Sequence, residues 1–192
     1  QFVSAGGAKH VLVVGVELLS RVVDWTDRGT CILFGDGAGA VIVSASRDDG
    51  RGILSTHLFA DGSLAEVLNI PGGGSANPTT HETVNAGMHL VHMVGSEIFK
   101  VAVKNLASAS IVALQANELT ADQIDWVVPH QANLRILDVV AKRCGIPMER
   151  FFLNIEKYGN TSSASIPIAL DEAVRGGFVK RGQTVLLCAL GG

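Results

Sequence analysis

The second half of the chain constrains the fold most, because short apolar runs there alternate with stretches of helical period. Residues 126–129 (WVVP) form an apolar run that stops at a proline, and HQAN follows. Residues 133–144 then place apolar positions at helical spacing until Gly145 and Pro147 close the pattern. Residues 151–155 (FFLNI), 162–174 (SSASIPIALDEAV) and 184–190 (TVLLCAL) continue the order strand, helix, strand. Apolar runs too short for helices suit strands covered on both faces, with the helices between them supplying the cover. The pattern predicts an α/β architecture with a largely buried sheet.

The first half reads mainly as sheet. Residues 10–17 (HVLVVGVE) are near-continuously apolar and β-branched, which predicts a strand buried on both faces. Residues 31–46 (CILFGDGAGAVIVSAS) read as two apolar runs around a tight turn, and residues 52–62 (GILSTHLFADG) as a further strand. Gly35, Gly37 and Gly39 have no following helix or lysine, so a structural turn is favoured over a phosphate cradle. Residues 71–78 (PGGGSANP) are loop by composition. Apolar residues at 98, 99, 102, 103 and 106 make a helical stripe, and Thr120 with Gln123 has the spacing of a capping box.

With 47% hydrophobic and 17% charged residues, the 192-residue chain can bury a sizeable core. Fifteen Lys and Arg against 18 Asp and Glu leave a net charge of -3, and no basic run tracks a phosphate backbone, so nucleic acid is not an expected partner. No apolar run approaches the length of about 20 residues that spans a bilayer, and the amino terminus lacks the layout of a signal peptide. The expectation is a cytoplasmic protein with no membrane contact. Cys31, Cys144 and Cys188 show no Cys-x-x-Cys pairing and read as small buried hydrophobes. The chain starts and stops within apparent secondary-structure patterns, as part of a longer polypeptide would.

Two loops have the position in which open α/β sheets collect ligands, each after a strand and ahead of a helix. They are PHQAN (129–133) and YGNTSSAS (158–165), and they place His130 and Asn160 thirty residues apart, about one strand-helix-strand unit. Two neutral N–H donors aimed at one oxygen can hold an oxyanion or enolate. Taken singly, a histidine after a strand is more often packed or solvated, and an asparagine between Gly159 and Thr161 is more often a turn or cap residue. Such a site also needs a nucleophile.

GDGAGA, VVPHQANLRIL, YGNTSSASIPIALDEAV and the terminal LGG together resemble the β-ketoacyl-acyl carrier protein synthase III enzymes of the thiolase superfamily, in the same order from end to end. The resemblance implies a thiolase-like five-layer αβαβα fold. It implies that 1–70 are the end of the amino-terminal half, 71–95 a connecting region, and 96–192 most of the carboxy-terminal half. The implied reaction is a decarboxylating Claisen condensation of an acyl-coenzyme A primer with malonyl-acyl carrier protein, initiating fatty-acid synthesis. Alternatives are a related synthase of polyketide or quinolone pathways and a non-catalytic homologue. His130 and Asn160 would assist decarboxylation and stabilise the enolate. The family's cysteine nucleophile aligns upstream of Gln1, so none of the three cysteines is expected to be acylated and the segment alone is expected to be inactive.

The same resemblance assigns other residues singly. Arg28 and Gly29 match the region holding the adenine end of coenzyme A, with a turn as the plain alternative. Met93, Gly95, Phe99, Ala132 and Asn133 match the wall of the pantetheine channel, where Met93 and Phe99 would otherwise be read as core. Phe34 matches a residue near the acyl pocket, Gly191 and Gly192 the Gly-Gly turn beside the active site, and Arg135 the arginine that docks the carrier protein. Leu190 stands where an aromatic residue is frequent, and the loop at 69–87 is unlike the family's shorter version, which implies a differently shaped pocket and rim. No metal and no cofactor is implied, the coenzyme A thioester being a substrate. A homodimer with a continuous sheet bordered by residues 10–17 is implied as well.

Overall fold

A computed structural model describes residues 1–46 and 50–191; Gly192 lies outside them. The elements in chain order are β1 (His10–Glu17), α1 (Arg28–Cys31), β2 (Gly37–Ser44), β3 (Leu68–Asn69), α2 (His81–Asn85), β4 (His92–Met93), α3 (Gly95–Ala116), β5 (Trp126–Pro129), α4 (Leu134–Cys144), α5 (Ile155–Tyr158), α6 (Ser165–Arg175) and β6 (Val185–Cys188). The described strands form three pairs. β1 and β2 are antiparallel, as are β3 and β4, whereas β5 and β6 run parallel.

The core gathers around the parallel pair. α3 buries Ala102, Val103, Leu106, Ala107, Ser110 and Leu114, and α4 buries Ile136, Leu137, Val140 and Ala141, each set at the three- and four-residue spacing of one helix face. Leu106, Val127, Val140 and Ile146 belong to one cluster, each 2% exposed or less. On the other side of β5, Val128 and Phe152 meet Ala169 and Ala173 of α6, whose small side chains let the helix approach closely. Phe178 closes this layer edge-to-face on Trp126 at 5.8 Å.

Local signals explain the helix boundaries. Asn133 caps α4, its Oδ1 accepting from the Arg135 N–H at 2.9 Å, and Gly145 ends it with a φ of 68°. Gln123 Oε1 accepts from the Thr120 N–H at 2.8 Å, the return bond of the capping box.

Four strand expectations are corrected. β1 forms, but it is not buried on both faces: Leu12, Val13, Val14 and Val16 are exposed, while Gly15 meets the Ser163 backbone. Residues 31–36 do not form one arm of a hairpin; Cys31 ends α1, and the glycine-rich segment leads into β2, which pairs with β1 instead. Residues 52–61 contain no strand, and FFLNI is reduced to one parallel bridge from Phe151 to Val127 before α5 begins. Apolar runs specify burial or pairing capacity; a ladder also needs a partner of matching register.

Candidate active site

The two loops singled out by sequence reach one cavity. His130, Asn160, Phe34, Met93, Ala132 and Asn133 all line it, as do Gly95, Phe99 and Gly191. At about 1630 Å³ this space exceeds the roughly 300–1,000 Å³ typical of a small-molecule pocket.

His130 is placed by the end of the parallel ladder. Its backbone N–H donates to the Cys188 carbonyl at 2.8 Å, continuing the pairing of Pro129 with Cys188 by one residue. The residue is 8% exposed, and Nδ1 lies 2.6 Å from Ser165 Oγ, leaving Nε2 as the ring nitrogen without a partner among the described residues. Burial pushes the imidazole from its usual range down to about 4, because the charged ring loses its hydration. His130 is thus neutral at pH 7.

The neighbouring Gln131, only 1% exposed, locks this loop to the next unit. Its amide N–H groups donate to the Pro129 and Phe152 carbonyls at 2.9 and 3.1 Å, and its Oε1 accepts from the Asn154 N–H at 3.1 Å. Asn154 Nδ2 donates to Glu172 Oε2 at 2.9 Å, and the Tyr158 hydroxyl donates to Glu172 Oε1 at 2.6 Å. These bonds, first Tyr158 and then Asn154, hold the Glu172 carboxyl below its ordinary range. A continuous polar network therefore connects the His130 loop with α5, which leads to Asn160.

Asn160 follows a backbone that only glycine readily adopts, Gly159 at φ 67° and ψ -158°. The main chain of Asn160 is then clamped from both sides, its N–H donating to the Leu33 carbonyl at 2.8 Å and its carbonyl accepting from the Gly35 N–H at 2.9 Å. The side-chain Oδ1 accepts from the Ser162 N–H at 2.9 Å, so the Nδ2 end is the one left to donate. Gly35 allows the clamp: a Cβ there would lie 2.1 Å from the Tyr158 carbonyl oxygen. Gly37 and Gly39 belong to β2 and face Ile168 and Pro167 at the start of α6, a packing role rather than a turn or phosphate cradle.

Other sequence-predicted residues stand apart. Arg135 is exposed on the first turn of α4 and shares a shallow surface with Phe99, which also lines the main cavity. Arg28 and Gly29 lie in α1, exposed and outside the cavity lining. Gly192 falls outside the described residues. Gln131 stood within HQAN, Ser165 and Glu172 within YGNTSSASIPIALDEAV and Asn154 within FFLNI, but none of the four was given a role from sequence.

Neither Cys144 nor Cys188 has an activated setting. Burial pushes the Cys188 thiol up to about 12 and raises that of Cys144, which donates to the Ala107 carbonyl at 3.9 Å. Cys31 lies near the Trp25 carbonyl, 4.0 Å away. Among the described residues no group of three or more His, Cys, Asp or Glu side chains could hold a metal ion. No helix among them is long and apolar enough to cross a membrane.

The depressed His130 value carries a stability consequence. The folded state keeps the ring neutral while the unfolded chain takes up a proton near pH 6.5, so this contribution is fully present above that pH and is lost as pH falls toward 4. Denaturant unfolding is expected to show about 3 kcal/mol less stability at pH 4 than at pH 7 from this residue. A His130→Gln variant should lack that increment; an identical pH dependence in both proteins would contradict the assignment.

Comparison with known proteins places this geometry among relatives. The description 3-oxoacyl-[acyl-carrier-protein] synthase III matches residues 1–62, and the carboxy-terminal part of the same family matches residues 114–192. The chain is 55% identical, over all 192 residues, to a β-ketoacyl-[acyl-carrier-protein] synthase III of Xanthomonas campestris, covering 58% of that protein. It is similar to the crystal structure of 3-oxoacyl-[acyl-carrier-protein] synthase III from Aquifex aeolicus, with 46% identity and a TM-score of 0.88 over 100% of this chain and 57% of that one. A priming β-ketosynthase from the R1128 polyketide pathway is more distant, at 37% identity and a TM-score of 0.81, with 97% of this chain and 55% of that one covered. The chain thus spans somewhat over half the length of the relatives it matches.

Proposed function

Because this chain belongs to the 3-oxoacyl-[acyl-carrier-protein] synthase III family, we propose that it supplies the decarboxylation and enolate-binding half of a condensing active site. The reading takes a malonyl thioester of acyl carrier protein as the extender and an acyl group from coenzyme A as the primer, initiating fatty-acid synthesis. Identities of 55% to the Xanthomonas campestris enzyme and 46% to the Aquifex aeolicus enzyme, against 37% to the polyketide enzyme, favour that pathway.

One observation carries the reading: two neutral donors line one cavity, and each has its other polar end already engaged inside the protein. With Nδ1 of His130 at Ser165 and Oδ1 of Asn160 on the Ser162 N–H, Nε2 and Nδ2 are left for a substrate oxygen. The malonyl thioester carbonyl oxygen would accept from both. As the carbon–carbon bond to the carboxylate breaks and carbon dioxide leaves, its electron pair passes into the thioester and the oxygen becomes an enolate. Two preorganised donors stabilise that charge without reorganising. The enolate carbon then attacks the acyl thioester, and the nucleophile's thiolate leaves.

Neutral donors suit the step because a protonated His130 would form an ion pair with the substrate carboxylate as well as with the developing enolate, favouring the ground state too. Arg135 receives the carrier protein in this reading, since its exposed surface adjoins the cavity at Phe99. Arg28 meets the adenine end of coenzyme A, and a homodimer is the proposed assembly. The reading calls for no metal or organic cofactor.

The direct test is malonyl thioester decarboxylation by the full-length protein carrying this chain. Asn160→Ala is expected to lower its rate by about 10²-fold, the smaller loss typical of one oxyanion donor, because Asn160 is less buried than His130. An unchanged rate would remove Asn160 from the site.

A further inference from the structure

We infer that Ser165 is a positioning residue that holds His130 in the tautomer carrying its proton on Nε2. The consequence for catalysis rests on the enolate-binding role proposed above; the tautomer itself follows from hydrogen-bond directions.

Ser165 is the first residue of α6, 2% exposed, and its Oγ lies 2.6 Å from His130 Nδ1. Two arrangements fit that distance. Either the hydroxyl donates to an unprotonated Nδ1, or a protonated Nδ1 donates to the hydroxyl. The surroundings separate them. The Gln131 backbone N–H also points at Ser165 Oγ, at 3.4 Å, and occupies the oxygen as an acceptor. Among the described residues no carbonyl or carboxylate accepts from this hydroxyl, so its hydrogen has one partner available, the ring nitrogen. If Nδ1 carried the proton, the hydroxyl would face two donors and its own hydrogen would be left unpaired in a buried site, which costs free energy. Donation from Ser165 to Nδ1 satisfies all three groups.

The placement is tertiary. Thirty-five residues separate Ser165 from His130, and α6 delivers the hydroxyl across the β5 layer through the packing of Ala169 and Ala173 on Val128. Losing the hydroxyl removes the partner of Nδ1 and the long bond from the Gln131 N–H, while the backbone of His130 remains bonded to Cys188 and the side-chain bonds of Gln131 are kept.

The test is long-range 1H–15N correlation of histidine-labelled chain at pH 7. The wild type should show Nε2 protonated and Nδ1 unprotonated. Ser165→Ala should lower the share of the ring in that form, seen as a shift of both ring 15N resonances, and Ser165→Thr, which retains the hydroxyl, should restore it. A wild-type spectrum with the proton on Nδ1 overturns the inference whether or not either variant folds, and so does a Ser165→Ala spectrum unchanged from wild type. In the full-length protein, Ser165→Ala is expected to lower the decarboxylation kcat by about tenfold with KM unchanged, short of the roughly 10²- to 10³-fold loss from deleting a donor. A tautomer shift without any change in decarboxylation supports the assignment of Ser165 and refutes the enolate-binding role of His130 instead.

Discussion

His130→Ala is expected to lower malonyl decarboxylation by about 10³-fold in the full-length protein while leaving acylation of the cysteine nucleophile largely intact. The size follows from burial: His130 is 8% exposed, so its Nε2 donor acts in a poorly hydrated site where a fixed dipole is worth more than in water. The separation follows from chemistry. Acylation by coenzyme A forms no enolate, whereas decarboxylation cannot proceed without placing charge on the thioester oxygen. The two steps are measured independently, by release of labelled carbon dioxide and by the mass of the acyl-enzyme. Parallel loss of both would sink this division of labour. A thermal melt of the variant separates a lost donor from a lost fold, because deleting a buried ring also leaves a cavity and an unpaired Ser165 hydroxyl.

Gly35→Ala is the second large effect, and it acts on the backbone. The added methyl would sit 2.1 Å from the Tyr158 carbonyl oxygen and 3.6 Å from Thr161 Cγ2. No rotamer change relieves a clash between a Cβ and a main-chain oxygen, so the two segments must separate, breaking the bonds from Asn160 N–H to Leu33 and from Gly35 N–H to Asn160. The expected cost is about 3 kcal/mol, at the upper end for overpacking, or a fall in Tm of about 6–12 °C for a chain of this size. Decarboxylation should fall further than the folded fraction accounts for, since Asn160 moves with the clamp. Gly62→Ala provides the control: a methyl there meets open space, and the change should stay within about 0.5 kcal/mol. Equal melting temperatures for the two variants would refute the close-approach argument.

How much of this was legible in the residues depends on the range over which each signal acts. α4 was predicted to within a residue because its limits are local chemistry, an asparagine that caps its own following amide and a glycine in the left-handed region. β5 and β6 were readable as apolar runs, and their pairing was not. FFLNI and 52–62 carry the same apolar character without forming a strand, because pairing requires a neighbour in register. β1 shows the reverse case, a correctly read strand whose predicted burial on both faces is absent.

The site divides in the same way. His130 and Asn160 stood out because each follows an apolar run and precedes a helical pattern, and the paired motifs carried the family resemblance. The residues that orient them did not. Ser165 resembled any small residue at a helix start, Glu172 any acidic residue on a helix, and Asn154 lay inside a presumed strand.

What the amino-acid sequence determined by itself was the chemistry available: neutral donors, an α/β order of elements, no basic surface run, and cysteines in apolar settings. The tertiary structure decided which end of each donor is left free. An imidazole and a carboxamide can each present more than one polar atom, and only the groups bonded to their other ends select among them. For His130 that group is Ser165, thirty-five residues away in sequence and 2.6 Å away in space; for Asn160 it is the turn that Gly35 leaves room to approach.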